Sequence, residues 1–174
     1  REPAPLPRGG PRPQPDPRIL YAFHFYNPWE FTGTNNKGRL AYPGEIPEWT
    51  PGGPLRRWDR AALDAELRKV EAWSRSQGVP ARRIVAAEFG CIRTQPGAAA
   101  WLTDVVSLLE RREWHWAFYS FREDVWAAMD YEAGTGPLPA GYWDAVNAGR
   151  TPDFRRGPNP LWDVLSAALR PPPR

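Results

Sequence analysis

A parallel α/β sheet is the fold class that this 174-residue sequence predicts. Three observations predict it. Short β-branched and aromatic runs alternate with amphipathic helices three times, the long loops all follow strands, and the returns from helix to strand are short. The 41% hydrophobic and 25% charged content is that of a globular chain with one core, too short for two domains.

The elements follow in order. Of the 22 prolines, seven fall within the first 17 residues, so 1–18 reads as a proline-rich linker or tail. Ile19 to Tyr26 (ILYAFHFY) is a buried-strand run closed by Asn27-Pro28. Residues 29–57 are rich in Gly, Pro and Asn without helical or alternating period, which predicts a long and functional loop. Asp59 caps a helix whose apolar face is Leu63, Leu67, Val70 and Trp73, stopped at Gly78.

Arg83 to Phe89 is the second strand, with a single acidic residue near its end. Thr94 and Pro96 open a helix with Leu102, Val105, Val106 and Leu109 on its apolar face, and Arg111-Arg112 suit its C-terminal dipole. Trp114 to Phe121 (WHWAFYSF) is the third strand, and a loop of about 37 residues follows it. Asn159 caps the last helix with Pro160 in its first turn, and Pro171 ends it.

Long loops at the C-terminal ends of parallel strands are the arrangement of (β/α)8 barrels, but eight units need about 250 residues. Three units make either a small open sheet or the C-terminal part of a barrel. Residues 19–174 are taken as that folded part.

Composition narrows the function classes. Lys and Arg number 23 against 20 Asp and Glu, a mild excess scattered along the chain, which argues against a nucleic-acid partner. No apolar run approaches the roughly 20 residues of a membrane helix, so no membrane partner is expected. With Cys91, His24 and His115 alone, neither a disulfide framework nor a Cys/His metal site is expected, and no cofactor is implied. The ten tryptophans supply core filling and flat surfaces for stacking.

Glu88 stands at the end of an otherwise apolar strand, where a carboxylate is costly unless paired or used. Arg93 and Arg122 are its candidate structural partners. His24 and Tyr26 alternate on the first strand and share a face.

Together, YAFHFYNPWEFT, IVAAEFG and WHWAFYSF resemble the sixth, seventh and eighth barrel strands of glycoside hydrolase family 5, the cellulase family. The resemblance spans roughly residues 19–170. It implies three C-terminal βα units of a (β/α)8 TIM barrel, a partial barrel in need of an N-terminal half. It also implies a retaining glycosidase acting on β-linked polysaccharide, in an extracellular or periplasmic setting.

Glu88 of the Glu-Phe-Gly motif would be the nucleophile, with Tyr26 orienting or tuning it and His24 contacting substrate or the acid/base residue. Trp29, Trp116 and Tyr119 would bind sugar, Tyr119 standing where the family usually carries a tryptophan. The family's Asn-Glu-Pro acid/base motif has no counterpart in the chain. Glu30, Glu45, Glu48 and Glu123 are loop carboxylates without rigid support and make poor substitutes. The rival expectations are a non-catalytic carbohydrate-binding or interaction module and a nucleic-acid binder.

Overall fold

The computed structural model describes residues 12–34, 36–48, 52–122 and 129–170. In chain order the elements are β1 (Tyr21–Phe25), α1 (Trp29–Thr32), β2 (Gly44–Pro47), β3 (Leu55–Trp58), α2 (Arg60–Ser76), β4 (Ile84–Phe89), α3 (Ala98–Glu110), β5 (His115–Trp116), α4 (Tyr142–Asn147) and α5 (Pro160–Ala168). β1, β4 and β5 form a parallel sheet in the order β1-β4-β5, and β2 and β3 form a separate antiparallel pair. The predicted alternation of parallel strand and helix is thus present.

One face of the sheet carries the core. Phe25, Ile84, Ala86 and Phe89 are buried there together with Leu63 and Leu67 of α2, Trp101, Leu102 and Val105 of α3, and Leu161 and Leu165 of α5. On the other face Ala22, His24 and His115 are exposed. An α/β sheet normally covers both faces, so this bare face is the feature that positions the site.

The helix signals work locally as predicted. The Asp59 side chain accepts from the Ala62 amide at 3.1 Å, and the Asn159 side chain accepts from the Leu161 and Trp162 amides at 3.0 and 3.1 Å. Arg112 donates to the Leu108 carbonyl at the end of α3, and both Arg111 and Arg112 also pair with Asp64 of α2 at 2.6 and 2.7 Å.

Several expectations change. The segment 29–57 is not simply a loop: it contains α1 and the β2–β3 hairpin, whose four-residue strands bury Ile46 and Trp58 and are too short to show a period. The long segment after Phe121 likewise contains a 3₁₀ turn (Tyr131–Ala133) and α4. Helix α3 begins at Ala98 rather than at Thr94, because Gly97 turns the chain at φ +88°. Gln95 instead spans two loop segments, accepting from the Gly38 amide and donating to the Gly33 carbonyl.

The third strand is shorter than Trp114–Phe121. Beyond Trp116 its pairing continues as single bonds, Ala117 N–H to Ala86 O at 2.9 Å and Tyr119 N–H to Phe89 O at 2.8 Å. The described part of the proline-rich segment is also held to the domain. Arg83 donates to the carbonyls of Asp16 and Ile19, both at 2.8 Å, and its guanidinium lies 5.1 Å from the Tyr21 ring centroid.

Gly97 has no room for a side chain. A Cβ there would lie 1.8 Å from the Tyr42 carbonyl oxygen, and the positive φ disfavours any L-residue. Gly97→Ala is therefore expected to destabilise the protein by about 1–3 kcal/mol or more, the range for forced overpacking, as read by urea unfolding. An unchanged midpoint would refute the close approach.

Candidate active site

The placement of Glu88 depends on an irregularity in β4. Phe23 pairs with Ala86 and Phe25 with Phe89, so two residues of β1 oppose three of β4. On the other side Ala117 bonds to Ala86 and Tyr119 to Phe89, again two steps against three. Strict alternation would put Glu88 on the face of Ile84 and Ala86, against the helices. The extra residue turns Glu88 onto the bare face, level with His24, and returns Phe89 to the core, where it is fully buried.

There Glu88 meets two of the predicted partners. The Tyr26 hydroxyl donates to Glu88 Oε2 at 3.0 Å, and His24 Nδ1 lies 3.4 Å from the same oxygen. Both contacts fall on Oε2, and among the described residues none falls on Oε1. The Glu88 and His24 side chains are 38% and 56% exposed, so the carboxylate is open to an incoming molecule. Neither arginine considered from the sequence is its observed partner. Arg93 donates to the carbonyls of Gly134 and Gly136, and Arg122 to Glu132.

Aromatic rings frame the group. Trp29, half-exposed at the start of α1, stands edge-on to Tyr26 with centroids 6.0 Å apart at 87°. Tyr119 lies near enough to Tyr26 to influence its ionisation. Trp116 stands apart: it pairs with Ala86 on the helix side, meets Phe89 edge-on, and donates its indole N–H to Glu110. Alternation along the third strand explains this, with Trp114, Trp116 and Phe118 toward the helices and His115, Ala117 and Tyr119 toward the open face.

The loops carrying these groups are tied to one another. Thr32 Oγ1 donates to the Tyr26 carbonyl at 2.7 Å, the Ile92 amide donates to the Thr32 carbonyl at 3.1 Å, and Trp101 Nε1 donates to the Asn27 carbonyl at 2.9 Å. Tyr131, which sequence reasoning passed over inside a long loop, is fully buried behind the site and bonds Cys91 and Tyr119. No local pattern around Tyr131 distinguishes it from a core aromatic.

Of the loop carboxylates, Glu30 is buried on α1, Glu45 lies in β2 opposite Arg57, Glu48 pairs with Arg56 at 3.0 Å, and Glu123 lies outside the described residues. Among the described residues no second carboxylate hydrogen-bonds to His24, Tyr26 or Glu88. Also among the described residues, no cluster of His, Cys, Asp or Glu could hold a metal ion, and no helix is long and apolar enough to cross a membrane.

A half-exposed carboxylate at the C-terminal end of a parallel strand, with a phenol on one oxygen and aromatic rings near that phenol, makes this an α/β protein with an open polar site. The family model for cellulase (glycosyl hydrolase family 5) matches residues 6–125, and the chain belongs to that family. The match ends before Tyr131, α4 and α5.

Solved structures similar to the chain include endoglucanase Cel5A of Thermotoga maritima in complex with cellobiose, at 26% identity and TM-score 0.48 over 63% of this chain and 34% of that one. A family 5 xyloglucanase from Paenibacillus pabuli matches at 19% identity and TM-score 0.45 over 64% and 32% of the two chains. The chain thus spans about a third of the length of these solved proteins. No curated protein matches it.

The Tyr26 hydroxyl is raised above the ordinary tyrosine range, first by burial, then by its bond to Glu88 and the carboxylate's charge. Because the folded protein holds this proton more tightly than the unfolded chain, the associated stability is complete below about pH 10 and is lost as pH rises through the higher folded value. In an ultraviolet titration, wild type and Tyr26→Phe should show the same tyrosinate absorbance at about pH 10, where a free phenol is half ionised. A variant lacking one tyrosine's share of that absorbance would show that Tyr26 titrates normally.

Proposed function

We propose that this chain forms the three C-terminal βα units of a (β/α)8 barrel and supplies the nucleophile of a retaining endo-β-glucanase. The observation that carries this reading is the Glu88 carboxylate, turned onto the open face at the end of β4 with one oxygen held by Tyr26 and no contact among the described residues on the other. Family membership supports the same chemistry.

In that reaction Glu88 Oε1 attacks the anomeric carbon as the glycosidic C–O bond breaks, and an acid protonates the departing oxygen. Water then attacks the glycosyl ester, its proton returns to the acid/base group, and Glu88 leaves as the carboxylate. Tyr26 holds Oε2 by its hydrogen bond and orients the carboxylate before and after the covalent stage. His24, exposed beside Oε2, contacts the sugar or the acid/base group. Trp29 and Tyr119 are the stacking surfaces, and Trp116 supports Phe89 from the helix side.

The acid/base carboxylate must stand about 5–5.5 Å from Glu88. In this reading it comes from the N-terminal half of the barrel, which also covers the bare face of the sheet. The substrate is a β-linked polysaccharide, and the setting is extracellular or periplasmic.

In the complete enzyme, Glu88→Gln should lower turnover of carboxymethyl cellulose by several orders of magnitude with folding intact. The 174-residue chain alone should release no reducing sugar from that polymer, since an acid's share of the rate is about 10²–10⁴. Ordinary turnover by the Gln variant would sink the nucleophile assignment. Turnover by the isolated chain would mean that it holds its own acid. Sugar binding by the complete protein without any turnover would favour the binding-module alternative.

Trp29→Ala and Tyr119→Ala should each weaken oligosaccharide binding by about 1–2 kcal/mol, comparable to losing one aromatic contact. Unchanged affinity in both variants, read by calorimetry, would return the two rings to a packing role.

A further inference from the structure

We infer that the buried hydroxyl of Tyr131 is a positioning residue that sets the spacing between the nucleophile strand and the Tyr119 platform. The inference rests on the glycosidase reading and deepens it, naming a residue outside the segment matched by the family.

The Tyr131 side chain is 1% exposed, and its hydroxyl sits among three backbone groups. It accepts from the Cys91 amide at 2.8 Å, and it lies 3.1 Å from both the Cys91 and the Tyr119 carbonyl oxygens. A phenol has one proton to give, so the two carbonyls share it. A single oxygen thereby joins the end of β4, three residues beyond Glu88, to the end of the third strand at Tyr119. Both strands pass Gly90 at this point. A Cβ on Gly90 would lie 2.3 Å from the Tyr119 oxygen and 2.7 Å from the Tyr131 hydroxyl, so the glycine of Glu-Phe-Gly is what admits the contact.

The phenol is itself held from behind. Its neighbour Asp130, 1% exposed, takes both arms of Arg156 at 2.6 and 2.7 Å, and Arg156 also donates to the Tyr142 hydroxyl at 2.8 Å. Phe118 packs against the Tyr131 ring with centroids 6.1 Å apart. The segment after the third strand therefore works as a brace: α4 and the Arg156 loop fix Asp130, and the adjacent Tyr131 fixes two strand ends. An ordinary core tyrosine has no need to place its oxygen between two strand ends. A Phe of the same shape would fill the same volume but give up the phenol's bonds to Cys91 and Tyr119.

The test is Tyr131→Phe in the complete enzyme, assayed well below its unfolding temperature. We expect kcat on a β-glucan to fall about tenfold, since misplacement near 1 Å costs on that order or more, and KM to rise as Tyr119 loosens. A purely structural tyrosine would lower the melting temperature and leave kcat and KM of the folded enzyme unchanged, and that result overturns the inference.

Gly90→Ala provides a second reading of the same contact. Its losses should combine with those of Tyr131→Phe to less than their product, and full multiplication would show that the two residues act separately. The two levels fail differently. An enzyme that keeps full turnover as Glu88→Gln overturns the glycosidase reading and this inference together. An enzyme that needs Glu88 but tolerates Tyr131→Phe overturns this inference alone.

Discussion

One extra residue in β4 decides what the rest of the site can be. Its neighbours β1 and the third strand both advance two positions while β4 advances three, between Ala86 and Phe89. Without that step Glu88 would face the buried core between sheet and helices, where an unpaired carboxylate would have to lose its charge or disrupt the packing. With it, Glu88 faces solvent level with His24, and Phe89 takes the core position. The chemistry and the packing are settled by the same irregularity, which is a common use of bulges beside active sites.

This step also marks the limit of what the sequence makes legible. The apolar runs Ile19 to Tyr26 and Arg83 to Phe89 announce strands, and Asp59 and Asn159 announce helix starts, because each signal is local and acts through hydrogen bonds within a few residues. The pairing of His24 with Tyr26 on one face follows from simple alternation. Alternation fails at Ala87-Glu88 because a bulge is decided by ladder partners distant in sequence. Trp116 is hard to place for a related reason: a tryptophan two residues after another reads equally as platform or core, and only the register with Ala86 puts it toward the helix side. The β2–β3 hairpin leaves no period at all in four-residue strands, and the Tyr131 contact joins residues 40 apart.

The polar side of the site is built from modest interactions in partly solvated surroundings. Tyr26 donates a bond to a charged acceptor, which is stronger than a neutral one, and its own raised ionisation keeps it a donor throughout the ordinary pH range. His24 approaches the same oxygen at 3.4 Å, too long for a strong bond. Oε2 is thus anchored, and no contact among the described residues falls on Oε1. Among the described residues no second carboxylate hydrogen-bonds to this group.

The precision of such a site cannot come from the open face, which presents exposed side chains and, among the described residues, no covering layer. It comes from behind and from the loops. Thr32 ties the end of β1 to the Ile92 segment, Trp101 holds the Asn27 carbonyl, and Tyr131 holds Cys91 and Tyr119. Each tie is a buried or half-buried hydrogen bond to backbone, so breaking one leaves an unsatisfied group as well as a loosened strand end. A carboxylate on a strand supported in this way is held in place without any covering contact on its open face. The placement of Glu88 is therefore carried by hydrogen bonds among β1, β4, the third strand and the segment around Tyr131.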